Sequence, residues 1–120
     1  MLRKFYLAVV AVILLVPIAL LAADLTGTWK GAMQTGGEAI FELKVDKGAV
    51  TGSMLGEGGK KYPVTGKLDG ENISLSVASE WQGQPVTLLV TGKLSGDDLP
   101  VHMASDNGYW STDAALKRQK

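Results

Sequence analysis

Residues 64–70 read Val-Thr-Gly-Lys-Leu-Asp-Gly, and residues 90–96 repeat that segment with one change, as Val-Thr-Gly-Lys-Leu-Ser-Gly. Looser copies of the Thr-Gly pair occur at residues 26–27 and 51–52. Apolar and polar residues alternate in each copy, which is typical of a β-strand with one buried face. By this alternation, each of these glycines falls on the apolar face and each threonine on the polar face.

A glycine on the apolar face of a strand needs a reason, because it contributes no side chain to packing. The usual reason is a close backbone approach, and inward glycines let strands coil sharply as a sheet closes on itself. The Thr-Gly pairs start at residues 26, 51, 65 and 91, and these steps correspond to two, one and two strand-plus-turn units. The spacing predicts an up-and-down meander closed into a barrel, which also removes unpaired sheet edges.

Almost no helical periodicity follows residue 24, so the fold class is all-β. The alternation predicts eight antiparallel strands, at residues 24–33, 38–46, 49–56, 60–68, 71–80, 84–94, 98–104 and 109–118. A barrel of this size holds either side chains or one small ligand in its interior. The predicted inner faces carry enough large apolar residues to fill it, so a packed core and a ligand cavity both remain open.

The first 23 residues have the pattern of a secretory signal peptide. A short basic start is followed by an apolar stretch at residues 5–21 and by small residues at the cut. We expect a leader helix, cleavage after Ala23 and export to the periplasm or the extracellular space. The chain then divides into a signal peptide at residues 1–23 and a barrel domain at residues 24–120. The alternative is an apolar run that is retained as a membrane anchor.

Charge and cysteine content exclude some functions. The chain has 12 basic and 12 acidic residues, and two of the basic residues, Arg3 and Lys4, belong to the leader. The remainder carries a net charge of about −2, scattered along the chain. A nucleic-acid partner is not expected, because it would require a dense cationic face. The chain has no cysteine, so stability must come from a hydrophobic core and not from disulfides.

Alternate loops of a meander lie at opposite ends of the barrel, and here the two ends differ. One end has short turns such as Asp69-Gly70, a strong hairpin signal. The other has longer, glycine-rich loops and is predicted to be the open end. Five large or polarisable residues with inward parity gather there: Met33, Tyr62, Trp81, Met103 and Trp110. They form either the mouth for an apolar or planar ligand or a plug that closes the barrel.

Residues 25–29 read Leu-Thr-Gly-Thr-Trp at the head of the first strand. With an eight-stranded meander, this segment resembles the calycin barrels, the superfamily of lipocalins and avidins, and also small exported bacterial barrels with the same start. Lipocalins have a Gly-x-Trp here, matched by Gly27 and Trp29. The resemblance implies a closed end at which Arg118, from the last strand, covers Trp29 by a cation–π contact. It does not extend to biotin, because the repeated tryptophans of the avidin pocket are missing.

Residues with catalytic chemistry are scarce. His102 is the sole histidine, and its parity predicts an outward position without a partner. A cysteine nucleophile is absent, and the carboxylates are turn formers first. We therefore expect a protein that is not an enzyme and has no cofactor and no metal site.

The expected function is that of an exported, non-enzymatic barrel that binds a small hydrophobic ligand at its open end. The alternative is a protein- or glycan-interaction module with a filled core, for instance a periplasmic inhibitor or an accessory subunit. Its partner would be an envelope protein or a glycan. A membrane contact is expected only through an uncleaved leader.

Overall fold

The computed structural model describes residues 25–120. The expected leader, at residues 1–23, lies outside the described residues. These residues form eight strands, with one 3₁₀ turn, Glu57–Gly59, between the third and the fourth. Among residues 25–120, no helix has the length and apolar character needed to cross a bilayer. The strands are β1 (Gly27–Ala32), β2 (Glu38–Asp46), β3 (Ala49–Leu55), β4 (Lys61–Asp69), β5 (Asn72–Trp81), β6 (Gln84–Lys93), β7 (Asp98–Ser105) and β8 (Ser111–Arg118).

The strands follow one another in chain order and close into a barrel. Every pairing is antiparallel, and closure comes from β8 pairing with β1, where Trp29 faces Arg118 and Lys30 faces Lys117. A further bridge joins Met33 to Ala114. The predicted eight-stranded meander barrel is therefore confirmed, with strand bounds within three residues of those expected. This architecture is consistent with a calycin-like fold.

The strand register places the Thr-Gly glycines on the inner side of the wall. Gly66 pairs with Val50 and Leu75, and both neighbours are buried. A Cβ atom on Gly66 would lie 2.2 Å from the carbonyl oxygen of Ser74 on the next strand. Because no side chain fits at that distance, glycine lets β4 and β5 approach and coil closely. Thr65, the preceding residue, is exposed on the outer side as expected.

The barrel interior is occupied by one contiguous apolar cluster. The most deeply buried large side chains include Trp29, Phe41, Leu99 and Met103, each at most 1% exposed. Because the inward positions of all eight strands contribute, the cluster spans the barrel from wall to wall. In the described residues, no buried side-chain nitrogen or oxygen lacks a hydrogen-bond partner.

Trp29 and Arg118 meet at the closed end, the arrangement that the calycin resemblance implies. The guanidinium carbon of Arg118 lies 4.5 Å from the centroid of the Trp29 ring. The Trp29 indole N–H donates to the carbonyl oxygen of Leu25 at 2.9 Å, and Arg118 Nη1 donates to that of Thr26 at 2.8 Å. A Cβ atom on Gly27 would lie 3.1 Å from Arg118 Nη1. These contacts join the first and last strands below the core.

Candidate functional site

The connections β1–β2, β3–β4, β5–β6 and β7–β8 lie together at the end opposite Arg118, because alternate loops of a meander share one end. Three of them are longer loops, as expected. The fourth is not: Trp81 pairs directly with Gln84, so Gln82 and Gly83 form a two-residue turn. Both have positive φ values, 51° and 79°, which is the type I′ hairpin conformation. The expectation of longer loops at this end was therefore wrong for the β5–β6 connection.

Five half-buried apolar residues at this end pack against the core without being covered by it. They come from five different strands or strand ends, and we call them the mouth cluster: Met33, Met54, Tyr62, Leu88 and Trp110. The structure thus brings together three of the predicted site residues, Met33, Tyr62 and Trp110. Sequence analysis missed Met54 and Leu88 as site residues, although their inward parity near the open end of β3 and β6 was the available signal.

Met103 lies deeper than predicted. It is fully buried and pairs with Val90 and Thr112. Leu88 lies two residues before Val90, and Trp110 lies two residues before Thr112. Each is therefore one inward-facing position nearer the open end than Met103. Met103 is therefore part of the core beneath the mouth cluster and not part of its exposed surface.

Trp81 lies outside the mouth cluster. Its side chain is 70% exposed, although its parity matches that of Val77, which is fully buried. The reason is that β5 extends past the rim of the barrel, where no opposite wall covers an inward-facing side chain. Trp81 therefore lies at the open end, as predicted, but at the exposed tip of the β5–β6 hairpin.

The β7–β8 loop is held by a hydrogen-bond network centred on Ser105, which is buried. The Ser105 hydroxyl donates to Asn107 Oδ1 at 2.7 Å and accepts the N–H of Trp110 at 3.0 Å. The Tyr109 N–H donates to the same Asn107 oxygen at 3.1 Å. The loop is therefore well defined, yet the Tyr109 side chain is 91% exposed. Sequence analysis missed Tyr109 as a site residue because it placed Tyr109 in the eighth strand, at residues 109–118, with outward parity. In the structure β8 begins at Ser111, and Tyr109 belongs to the loop.

One ion pair lies near the mouth cluster. Lys60 and Glu80 form an ion pair across the rim, and Lys60 Nζ lies 5.9 Å from the centroid of the Tyr62 ring. The hydrogen bond to Glu80 raises the pKa of the Lys60 ammonium above its ordinary value. Both side chains are exposed, so this pair stabilises the fold little.

His102 lies on the outer wall, as predicted, but it has a partner. Its Nδ1 is 2.7 Å from Asp113 Oδ1 on the neighbouring strand, so the expectation of an unpartnered histidine was wrong. The two share a shallow, open groove with Thr91, which faces His102 from β6. Within the described residues, no hydrogen bond joins Thr91 to His102. Both members of the pair are more than half exposed, so nothing excludes water from this group.

Among residues 25–120, no group of three or more histidines or carboxylates is placed to hold a metal ion. Comparisons with protein-family models, with curated proteins and with solved structures each found no match.

Proposed function

We propose that this protein is an exported, non-enzymatic barrel that binds a small apolar ligand at its open end. The observation that carries the proposal is the mouth cluster: apolar side chains from five strands or strand ends that adjoin the core and remain half exposed. Covering such surface is favourable by about 25 cal/mol per Å². Export is inferred from the leader pattern in the sequence.

The ligand would rest on the mouth cluster and would not enter deeply. Phe41 and Met103, which are 1% and 0% exposed, fill the interior beneath it. Aromatic faces and flexible methionine side chains accommodate flat or short apolar molecules of varied shape. Tyr62 and Trp110 provide the aromatic faces, and Met33 and Met54 provide the adaptable contacts.

Fluorescence titration with the neutral apolar probe N-phenyl-1-naphthylamine tests this proposal. We expect saturable enhancement with the native chain, and loss of most of it in Tyr62→Ser or Met54→Ser. The matched control is Leu89→Ser, which removes an apolar side chain that is 47% exposed but lies on the outer wall. Urea unfolding of each variant establishes that it is folded. A folded native protein that gives no enhancement would refute the proposal.

Exposed aromatic side chains favour a second candidate function, an interaction module that works through the open-end loops. Trp81 and Tyr109 are 70% and 91% exposed, so neither is needed to fill the core. Trp and Tyr side chains are enriched at interaction surfaces. In that case the partner would contact the loops and not the mouth cluster.

A further inference from the structure

We propose that Trp81 and Tyr109 form a stacking platform for a neutral oligosaccharide on the rim of the barrel. The inference rests on the proposed role of the open end as the binding end, and it names the partner of the exposed loops. It concerns a surface beside the mouth cluster and not the cluster itself.

Both aromatic side chains are exposed without benefit to the fold. Trp and Tyr side chains gain much from burial, because each carries a large apolar ring. Three large apolar side chains are exposed among the described residues, and Trp81 and Tyr109 are the two most exposed of them. The third, Leu89, lies on the outer wall, where it pairs with Ser76 and Ala104.

Each ring is presented by a rigid segment. Trp81 precedes the two-residue turn of Gln82 and Gly83, whose backbone conformation is fixed by the pairing of Trp81 with Gln84. Tyr109 is carried by the loop that Ser105 and Asn107 hold together. A backbone that is already ordered loses little entropy on binding, so a weakly interacting ligand such as a sugar can still be held.

The two segments are neighbours in space. Strand β6 lies between β5 and β7, and the N–H of Asp106 donates to the carbonyl oxygen of Thr87 on β6 at 2.9 Å. This bond ties the Tyr109 loop to the hairpin that carries Trp81. Up to three strand spacings separate the two residues across the wall, and Trp81, opposite Gln84, lies three residues beyond Thr87 along the strands. The two residues are therefore roughly 15–18 Å apart. One extended chain can contact both rings.

The chemistry around the rings favours a saccharide. Gln82 and Gln84, both exposed, flank Trp81, and amide side chains both donate to and accept from hydroxyl groups. Sugar rings combine an apolar face that stacks on aromatic rings with hydroxyls at their edges. Lys60, at the same end of the barrel, is paired with Glu80, so this cation is compensated and adds little attraction for an anionic polymer or membrane.

A protein partner fits this surface less well. Protein interfaces have a contiguous apolar centre surrounded by a polar rim. Gln84 lies opposite Trp81, and Leu89 is five residues further along β6, roughly 17 Å away along the strand. Leu89, the third exposed large apolar side chain, thus does not join the two aromatic rings into one contiguous apolar patch.

Nuclear magnetic resonance of the tryptophan indole N–H groups tests the inference. The chain has three tryptophans, of which Trp29 is hydrogen-bonded in the core, Trp110 belongs to the mouth cluster and Trp81 is on the rim. Protein expressed from the full-length chain is titrated with cellohexaose, chitohexaose and maltohexaose. We expect at least one sugar to shift the Trp81 signal saturably and to leave Trp29 unchanged. The Trp81→Phe variant assigns the signal.

Variants then separate the two rings from the rest of the surface. Trp81→Ala and Tyr109→Ala should each weaken sugar binding about tenfold or more, because each removes one stacking contact. Leu89→Ala should leave it unchanged. All three residues are exposed, so we expect all three variants to stay folded.

Two results of the titration would overturn the inference: no Trp81 shift with any of the three sugars, or a shift confined to Trp110. Capture of an envelope protein that is lost in Trp81→Ala, without sugar binding, would also overturn it and would indicate a protein-docking surface. Binding of N-phenyl-1-naphthylamine is measured on the same sample. If the probe binds and no sugar does, the saccharide inference is refuted and the proposed apolar site is not.

Discussion

The guanidinium group of Arg118 covers the ring of Trp29 at 4.5 Å, so the last strand of the barrel closes over the first. The Arg118 side chain is only 17% exposed, and its Nε also donates to Asp97 Oδ1 at 2.9 Å. One side chain thus joins β8, β1 and the β6–β7 turn at the closed end. This relationship holds the barrel shut at the end opposite the proposed binding surface.

Replacing Arg118 by glutamine should destabilise the barrel by about 2–3 kcal/mol, because it removes a partly desolvated cation–π contact and the hydrogen bonds to Thr26 and Asp97. Urea unfolding monitored by tryptophan fluorescence measures the loss. Lys117→Gln is the matched control, since Lys117 is 68% exposed and forms only a surface ion pair with Asp98. Its loss should stay below about 1 kcal/mol. Equal losses would contradict the closing role of Arg118.

Gly66→Ala should destabilise the protein by about 3 kcal/mol or more, because the added Cβ atom would overlap the carbonyl oxygen of Ser74. Gly70→Ala is the comparison. Gly70 has φ +62° with open space around the Cβ position, so only the backbone strain of about 1 kcal/mol applies. Thermal and urea unfolding rank the two variants. If Gly70→Ala proved the more damaging, close strand approach would not be the reason for glycine at residue 66.

Stability of the closed end should depend on acid pH through Asp97. Hydrogen bonds from Lys120 and then from Arg118 hold the pKa of the Asp97 carboxyl below its ordinary value. A lowered pKa means that the folded state binds this proton less readily than the unfolded state. The contribution is therefore present above the unfolded-state pKa and is lost as pH falls through the folded-state pKa.

We expect Asp97→Asn to be less stable than the native protein near neutral pH. The difference in urea midpoint should shrink as pH falls below about 4, where carboxyls become protonated. Asp69→Asn, in the neighbouring turn, serves as the control. A difference for Asp97→Asn that stays constant from neutral to strongly acid pH would argue against this role.

Ser105→Ala should loosen the β7–β8 loop. It leaves the N–H of Trp110 and Asn107 Oδ1 without their hydroxyl partner, which costs about 1–3 kcal/mol when the group is buried. We expect faster amide exchange at Trp110 and weaker sugar binding through Tyr109. Ser111→Ala, an exposed position on β8, should change neither quantity. Unaltered exchange at Trp110 in Ser105→Ala would show that other contacts hold the loop.

Sequence analysis predicted the local features of this protein well. Alternation located eight strands, and the spacing of the Thr-Gly pairs indicated a closed meander. The inward position of Gly66 followed from the same pattern. These features depend on neighbours along the chain, because the two-residue period of a strand determines which side of the wall a residue faces.

The depth of each inward residue was decided only by the tertiary structure. Met103 and Trp81 share inward parity, yet one is fully buried and the other is 70% exposed. Depth depends on the stagger between strands, which is set by pairings between residues far apart in the chain. The partnership of His102 with Asp113 and the exposure of Tyr109 have the same origin. The sequence by itself determined the wall of the barrel, and the strand register determined its mouth and rim.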